Sequence, residues 1–434
     1  MLAELEERVP ANDKRHVKFN EQVSPRDPQT GRPQLCRVTR GMHGMKTAGR
    51  QWQLLFFGWM GQLGFTQSVF DPAMFFFPRT APRNRQMRTA IWVDDVVARG
   101  TPQAVAWFRE AMTERFGDVK EGPLHWVLGM KVVKGSDGYL GVNSEPWITR
   151  IRDQQNIPKS THKVPLPASL RIRKDDRVPV TDPSVKAAYL QVLGQIGYLS
   201  NWTVPYLSYP VSMLSSVAAS PSKGHLKLAR RVLAFTCSHP DLGLQYQDPT
   251  STANPAGDIG FKDVIEIYTD SGWAQEDCYV SQSGFVAWMN GSVVGWGSKK
   301  QPFPALSSTE AEIIGGCEAL RVALALKSFL EEMGFTQGLV RFYFDAQNAI
   351  RFNVEERIRP RSHHIGVRYH RCRHEVGKNI TIEFIRSEDE LGDLCTKNVE
   401  YEQFQRLVGR IMTVLGDVSA ESNEHPMVHK DTKK

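Results

Sequence analysis

No apolar run in the chain approaches the ~18 uninterrupted residues that a membrane-spanning helix needs, and the opening segment MLAELEERVPANDKRH is charged throughout, without the apolar centre of a secretory signal. A membrane partner is therefore not expected, and an intracellular setting, cytoplasmic or nuclear, is. Paired cysteines are missing too. The six present, Cys36, Cys237, Cys278, Cys317, Cys372 and Cys395, share no short spacing, which argues against a zinc knuckle and a disulfide framework and suits a reducing compartment. No internal repeat is visible. What remains is an ordinary globular composition, 41% hydrophobic and 23% charged over 434 residues, enough for two or three domains with cores of their own. Lys and Arg outnumber Asp and Glu by 54 to 47, a net charge of +7 that suits a polyanionic partner.

The order of elements follows from periodicity. Residues 1–35 are polar and rich in turn formers. In AGRQWQLLFFGWMGQLGF, Trp52, Leu55, Phe56, Trp59 and Leu63 recur at three and four, the pattern of one amphipathic helix. The two apolar arms of TAIWVDDVVARG meet at Asp94 and Asp95, a strand, turn and strand. A helix over TPQAVAWFREAMTERFG opens on a Thr101 cap with Pro102 at its first position, and WVLGMKVVKGSDGYLGV is a strand pair turning at 136–138. Lys, Arg, Asp and Pro dominate 155–185, a domain edge or long loop, and helices follow over VKAAYLQVLGQIGYLSNW and GHLKLARRVLAFTC. QDPTSTANPAGD, from Gln247, has no large apolar residue and reads as a linker. Beyond it come strands VIEIYTD, SGFVAWM and SVVGWGS, the long helix SSTEAEIIGGCEALRVALALKSFLEEM, strand VRFYFD, helix AQNAIRFNV, the basic helical stretch HHIGVRYHRCRHEV, strand ITIEFI and helix EDELGDLCTK. Three strands followed by alternating helices and strands imply a mixed sheet, and the polar end from about Ser419 is expected to be disordered.

Four acids of the last region fall where such a fold gathers side chains. Asp270 is expected to end the first strand, Glu312 to lie early in the long helix, Asp345 to end the fourth strand and Asp393 to lie in the final helix, all at one sheet edge. Carboxylates packed together repel one another and are costly to keep ionised out of water, a cost that divalent cations remove. Hard oxygen donors suit Mg2+ or Mn2+ over zinc, and two such ions ~3.5 to 4 Å apart stabilise an in-line displacement at phosphorus. Phosphodiester hydrolysis is the chemistry expected. A single strand-end Asp more often only caps a turn. Glu310, three residues after Ser307, fits a helix capping box, so Glu312 is preferred as the ligand and Glu310 is held in reserve.

IYTDSGWA, SQSGFVAWMNGSVVGWGSKKQPFPALSSTEAEI, FYFDAQNAI, HHIGVRYHRCRHEV and DELGDLCTK, in that order over about residues 262–400, resemble the successive motifs of the ribonuclease H of copia-type retrotransposons. The resemblance implies that Asp270, Glu312, Asp345 and Asp393 are its metal-binding acids, and that the substrate is the RNA strand of an RNA/DNA hybrid. Gly272 and Ser281–Ser283 stand where the family usually has an acidic and a basic residue, a departure that bears on substrate contacts. RGMHGMKTAGRQW, LGFTQSVFDPAMFF, IWVDDVV, HWVLGMKV, VPLP, AAYLQVLGQIGYLSNW and HLKLARRVLAF, over about 36–246, resemble the middle and end of the copia reverse transcriptase, an RNA-directed DNA polymerase. On that resemblance Asp94 and Asp95 are palm aspartates, with Trp92 where the family has Tyr. The family's first catalytic aspartate lies upstream of the HGMK-like motif; the chain begins too late to contain it, and Asp13, Asp27 and Asp71 do not fit its place. No polymerisation is therefore expected.

The expected architecture is multidomain, α+β and α/β. It comprises a loose lead-in (1–35), a partial reverse transcriptase of fingers and palm (36–165), a helical thumb-like or connection region (166–246), a linker (247–260), an RNase H-like mixed-sheet domain (261–400), a C-terminal helix (401–418) and a disordered tail (419–434). Between Arg351 and Lys378 eight Arg or Lys stand against three Glu. Arg361, Arg368, Arg371, Arg373 and Lys378 are the candidate phosphate contacts to a hybrid or other nucleic acid, and contacts to the 2′-hydroxyl would mark the RNA strand. His370 and His374 lie one helical turn apart, but no third ligand completes a zinc site, which favours a solvated basic face. Other segments of a Pol polyprotein are further candidate partners. The expected function is hydrolysis of RNA in hybrids, with two Mg2+ or Mn2+ ions per site. The alternatives are a remnant that binds nucleic acid without catalysis and a host-adopted interaction scaffold.

Overall fold

A computed structural model of the chain describes residues 16–17, 36–37, 47–78, 80–93, 95–117, 119–135, 139–172, 182–246, 264–274, 279–354 and 370–415. The chain divides into two compact units, one of residues 1–123 with 332–334 and the other of 124–331 with 335–434.

In the first unit, β1 (His16–Val17) and β2 (Cys36–Arg37) pair antiparallel. Helix α1 (Ala48–Gln62) keeps the spacing read from the sequence and buries Phe56, Trp59 and Met60. Strands β3 (Thr66–Gln67), β4 (Met74–Phe76), β5 (Met87–Trp92) and β6 (Asp95–Gly100) form an antiparallel sheet in that order. Helix α2 (Pro102–Phe116) starts as expected: the Thr101 side chain accepts from the Ala104 amide, and Pro102 opens the first turn, where its missing N–H costs nothing. Aromatic rings fill the core, with Phe116 4.9 Å from Trp59 and 5.5 Å from Phe56 between centroids.

The second unit begins with β7 (Trp126–Val127), β8 (Met130–Lys134) and β9 (Leu140–Asn143), followed by helices α3 (Glu145–Gln155), α4 (Pro183–Trp202), α5 (Ser208–Ser215) and α6 (Lys223–Cys237), then β10 (Leu242–Tyr246). Next come β11 (Ile265–Gly272), β12 (Gln282–Met289), β13 (Ser292–Lys300), α7 (Ser308–Glu332), β14 (Val340–Phe344), α8 (Gln347–Val354), α9 (His370–Glu375), β15 (Ile380–Phe384), α10 (Tyr401–Ile411) and β16 (Thr413–Val414). One antiparallel sheet runs β16-β10-β9-β8-β7. The other runs β13-β12-β11-β14-β15, antiparallel through its first three strands and parallel from β11 onward, so the mixed sheet expected from the element order is present. Tyr268, Val286 and Val293 of this sheet join Tyr189, Ile196, Leu199, Leu207 and Leu233 of the helices in one hydrophobic core. The Trp296 indole donates to the Ser200 carbonyl at 2.7 Å, fastening β13 to α4.

Three elements differ from expectation. Helix α3 had no counterpart in the reading of the sequence: only Ile148 and Ile151 are buried, and Pro146, which reads as a breaker, sits in the first turn where proline is tolerated. EDELGDLCTK forms two 3-10 turns, Ser387–Asp389 and Leu391–Cys395, in place of a helix. There the Glu390 side chain takes the Gly392 amide at 2.8 Å, competing with helical bonding. A Cβ at Gly392 would lie 2.8 Å from the Asp270 nitrogen, so only glycine lets this turn lie against β11. The last helix stops at Ile411, after which Thr413 and Val414 pair with β10. The linker, the tail from 416 and residues 355–369 of the basic stretch lie outside the described residues. No helix of the described residues is long and apolar enough to cross a membrane.

Candidate metal centre

Parallel pairing sets the first two acids side by side. Ile267 pairs with Phe342 and Tyr268 with Tyr343, so the same register continued by two residues brings Asp270 beside Asp345. Asp270 lies within β11, two places before its end, and Asp345 follows β14 directly. Helix α7 contributes Glu312, and its seat on β11 depends on Gly315, where a Cβ would stand 2.3 Å from the Ser271 hydroxyl. That hydroxyl donates to the Ala311 carbonyl at 2.8 Å, while the Ser271 amide donates to Glu312 Oε1 at 3.2 Å.

Asp270, Glu312 and Asp345 each offer an oxygen, and these atoms lie within 4.8 Å of one another, the one group of three or more candidate ligands among the described residues. Glu312 is 7% exposed, and its second oxygen, Oε2, has no hydrogen-bond partner. Burial pushes the Glu312 carboxyl well above the usual carboxylate range, and the charges of Asp270 and Asp345 push it further. A buried carboxylate with an unpartnered oxygen, clustered with two more carboxylates, is a donor set that fits a hard divalent cation. Ser387 donates to Asp345 Oδ2 at 2.8 Å, and the Thr396 hydroxyl donates to Asp270 Oδ2.

Asp393 is placed differently from the other three. It is 1% exposed in the second 3-10 turn, where Lys397 Nζ forms an ion pair with Oδ1 at 2.7 Å, although that oxygen accepts no hydrogen bond, and Gln403 Nε2 donates to Oδ2 at 2.7 Å. Lys397 Nζ is also 3.7 Å from Asp270 Oδ2. Burial, then the Asp270 charge, pushes the Asp393 carboxyl up to about 7. Burial works against the charge of Lys397, but Asp270 and Asp393 outweigh it and hold the ammonium above its ordinary range. Glu390 is a further acid of the site, with no spacing to mark it. It is fully buried, and burial raises its carboxyl well above the usual range, with Asp270, Asp393 and Asp345 as nearby charges.

The remaining candidates are placed as follows. Glu310 Oε2 accepts from the Leu306 amide at 2.7 Å and the Ser307 hydroxyl accepts from the Glu310 amide at 3.1 Å, so this acid serves the start of the helix. Arg371 and Lys378 are exposed, and Lys378 Nζ lies 3.1 Å from His374 Nε2. Arg373 donates to the Phe352 carbonyl, with Nε at 3.1 Å, and its guanidinium stands 4.9 Å from the Phe352 ring. Arg361 and Arg368 lie outside the described residues, as does Asp94. Asp95 is exposed and pairs with Trp92 across the β5–β6 turn, which the Trp52 indole ties down through the Val93 carbonyl at 2.8 Å.

No family model matches the chain. It is 27% identical over 384 residues to the retrovirus-related Pol polyprotein of transposon TNT 1-94 from Nicotiana tabacum, covering 86% of this chain and 28% of that one. It is 25% identical to the Pol polyprotein of transposon RE1 from Arabidopsis thaliana, covering 87% and 25%. The chain thus spans about a quarter of the length of these relatives. Among solved structures, LC11-RNase H1 in complex with an RNA/DNA hybrid aligns with a TM-score of 0.24 at 20% identity, over 30% of this chain and 93% of that one. Several transposon Pol polyproteins from plants and yeast thus match most of this chain at 22–27% identity, a likeness that supports a copia-type retrotransposon Pol polyprotein.

Proposed function

We propose that the second unit is a ribonuclease H that hydrolyses the RNA strand of an RNA/DNA hybrid, using Mg2+ or Mn2+ held by Asp270, Glu312 and Asp345. The observation that carries this reading is Glu312 Oε2, buried without a partner among three converging carboxylates. When bound, such a cation lowers the pKa of an attacking water and stabilises charge developing on the phosphate. The chain's own residues supply the frame. The Ser271 amide fixes Glu312, Ser387 fixes Asp345 and Thr396 fixes Asp270, so each carboxylate is oriented before any ligand arrives. Three clustered carboxylates repel a phosphate until their charge is neutralised, which makes substrate binding itself cation-dependent. Arg371 and Lys378, both exposed, are candidate contacts to the backbone of a hybrid, with Arg361 and Arg368 as further candidates.

In the first unit, Asp95 and Asp94 are the polymerase remnant. That the chain does not extend a primer by itself is part of the same proposal, and it rests on the resemblance, since Asp94 lies outside the described residues. Primer extension by the full chain with Mg2+ would reverse that part.

The decisive assay is cleavage of a labelled RNA/DNA hybrid by the full chain with Mg2+ or Mn2+, beside Asp270→Asn. The wild type is expected to cut only the RNA strand and the variant to bind the hybrid without cutting it. Binding without cleavage by the wild type under both cations would overturn the nuclease reading and leave a nucleic-acid-binding remnant.

A further inference from the structure

The turn that carries Asp393 also carries the counter-charge for it. Lys397 is four residues on, its amide bonded to the Asp393 carbonyl at 3.1 Å, and its ammonium lies between Asp393 Oδ1 at 2.7 Å and Asp270 Oδ2 at 3.7 Å. The other Asp393 oxygen is taken by Gln403 of α10. A second divalent ion would need Asp393 as a donor, and the Lys397 ammonium already stands at one of its oxygens and Gln403 at the other. Glu312, which clusters with Asp270 and Asp345, keeps a buried oxygen with no cation or hydrogen-bond donor beside it among the described residues.

We propose that Lys397 is a built-in cation of the site, standing between Asp270 and Asp393, so that the four acids take up one divalent ion and not two. This rests on the reading of Asp270, Glu312 and Asp345 as a cation centre. The geometry suits the role: Lys397 is 32% exposed, its stem anchored in a rigid turn and its head among carboxylates, and a lysine is a compact point charge. Removing a buried charge's partner leaves the remaining charge uncompensated, so loss of Lys397 should create demand for another cation. Lys397 is in this sense a positioning residue, holding Asp393 and Asp270 in fixed relation, and a bound ion would be held by Asp270, Glu312 and Asp345.

The test is a Mn2+ titration of the full chain, stripped with chelator, read by calorimetry and by the electron paramagnetic resonance of unbound Mn2+. The wild type is expected to bind one Mn2+ per chain, Lys397→Met two, Lys397→Arg one, and the double variant Asp393→Asn with Lys397→Met one, since charge and partner leave together. Two ions on the wild type, or a single ion of unchanged affinity on a folded Lys397→Met, overturns the proposal. If Lys397→Met fails to fold by circular dichroism, the wild-type stoichiometry decides alone. Failure of the underlying cation-centre reading looks different: the wild type then binds no Mn2+, and Glu312→Gln changes nothing.

Discussion

Gly315→Ala tests whether α7 is seated on β11 closely enough to deliver Glu312. Gly315 lies three residues after Glu312 and therefore on the same helical face. An added Cβ would stand 2.3 Å from Ser271 Oγ, 3.4 Å from the Asp270 carbonyl oxygen and 3.5 Å from Ser283 Oγ. Ser271 cannot give way freely, because its hydroxyl is bonded to the Ala311 carbonyl at 2.8 Å. Either that bond breaks or the helix lifts. Overpacking of this kind costs about 1–3 kcal/mol, and alanine's better helix propensity offsets up to about 1 kcal/mol of it, leaving a net loss of about 1–2 kcal/mol. In a unit of this size that lowers the melting temperature by roughly 2–8 °C. Displacing a metal ligand through its support typically weakens metal affinity by about 10–100-fold. Gly194→Ala is the control: Gly194 is exposed in α4 with nothing within 4 Å of the added carbon, so that change should be neutral or stabilise by up to about 1 kcal/mol. Thermal unfolding in chelator and Mn2+ calorimetry read both effects. A Gly315→Ala protein that is as stable as Gly194→Ala and binds Mn2+ with wild-type affinity would refute the close seat of α7 and its role in placing Glu312.

Three further outcomes follow from the same geometry. Glu312→Gln removes a carboxyl whose ionisation burial and its acidic neighbours penalise, and should raise the melting temperature in chelator while abolishing Mn2+ binding; a lower melting temperature would mean that the carboxyl is satisfied by the fold. The Asp393 carboxyl, raised to about 7 by burial and then by Asp270, keeps its proton in the folded chain where the unfolded chain has already released it. Its contribution to stability is therefore full in acid and fades as pH rises from about 4 towards 7, at about 1.4 kcal/mol per unit as an upper bound. Urea unfolding in chelator should show this fall between about pH 4 and 7, weaker in Asp393→Asn, and a rise over that range would count against the assignment. Tyr189→Phe deletes the 2.7 Å bond from a fully buried hydroxyl to the Leu214 carbonyl and should cost about 0.5–1.5 kcal/mol in urea unfolding, since that carbonyl still accepts from the Val217 amide at 3.2 Å.

Periodicity made α1, α2, α4, α6 and α7 legible, because each carries a repeating apolar stripe or a cap whose residues act within one turn of the chain. Helix α3 has two buried aliphatics and an early proline, too little signal for any local rule. The turns around Asp393 were misjudged for the opposite reason: their sequence permits a helix, and it is contact with β11, through Gly392, that forbids one. The same division holds at the site. Asp270, Glu312 and Asp345 could be grouped from the sequence because strand ends and a helix start converge by topology alone. Counting charges along the chain, however, says nothing about which are already answered. Arg373 adds to the basic tally of its segment although its guanidinium is committed to the Phe352 carbonyl. Asp393 adds to the acidic tally of the site although Lys397 and Gln403 occupy it. Lys397 stands in plain view four residues after Asp393, yet its reach to Asp270 depends on a turn folding against a strand from a distant part of the chain. The number of cations a cluster of acids requires is thus a property of the packed site, set by whichever basic side chains the neighbouring segments deliver to it, and four acids in a motif need not mean four ligands.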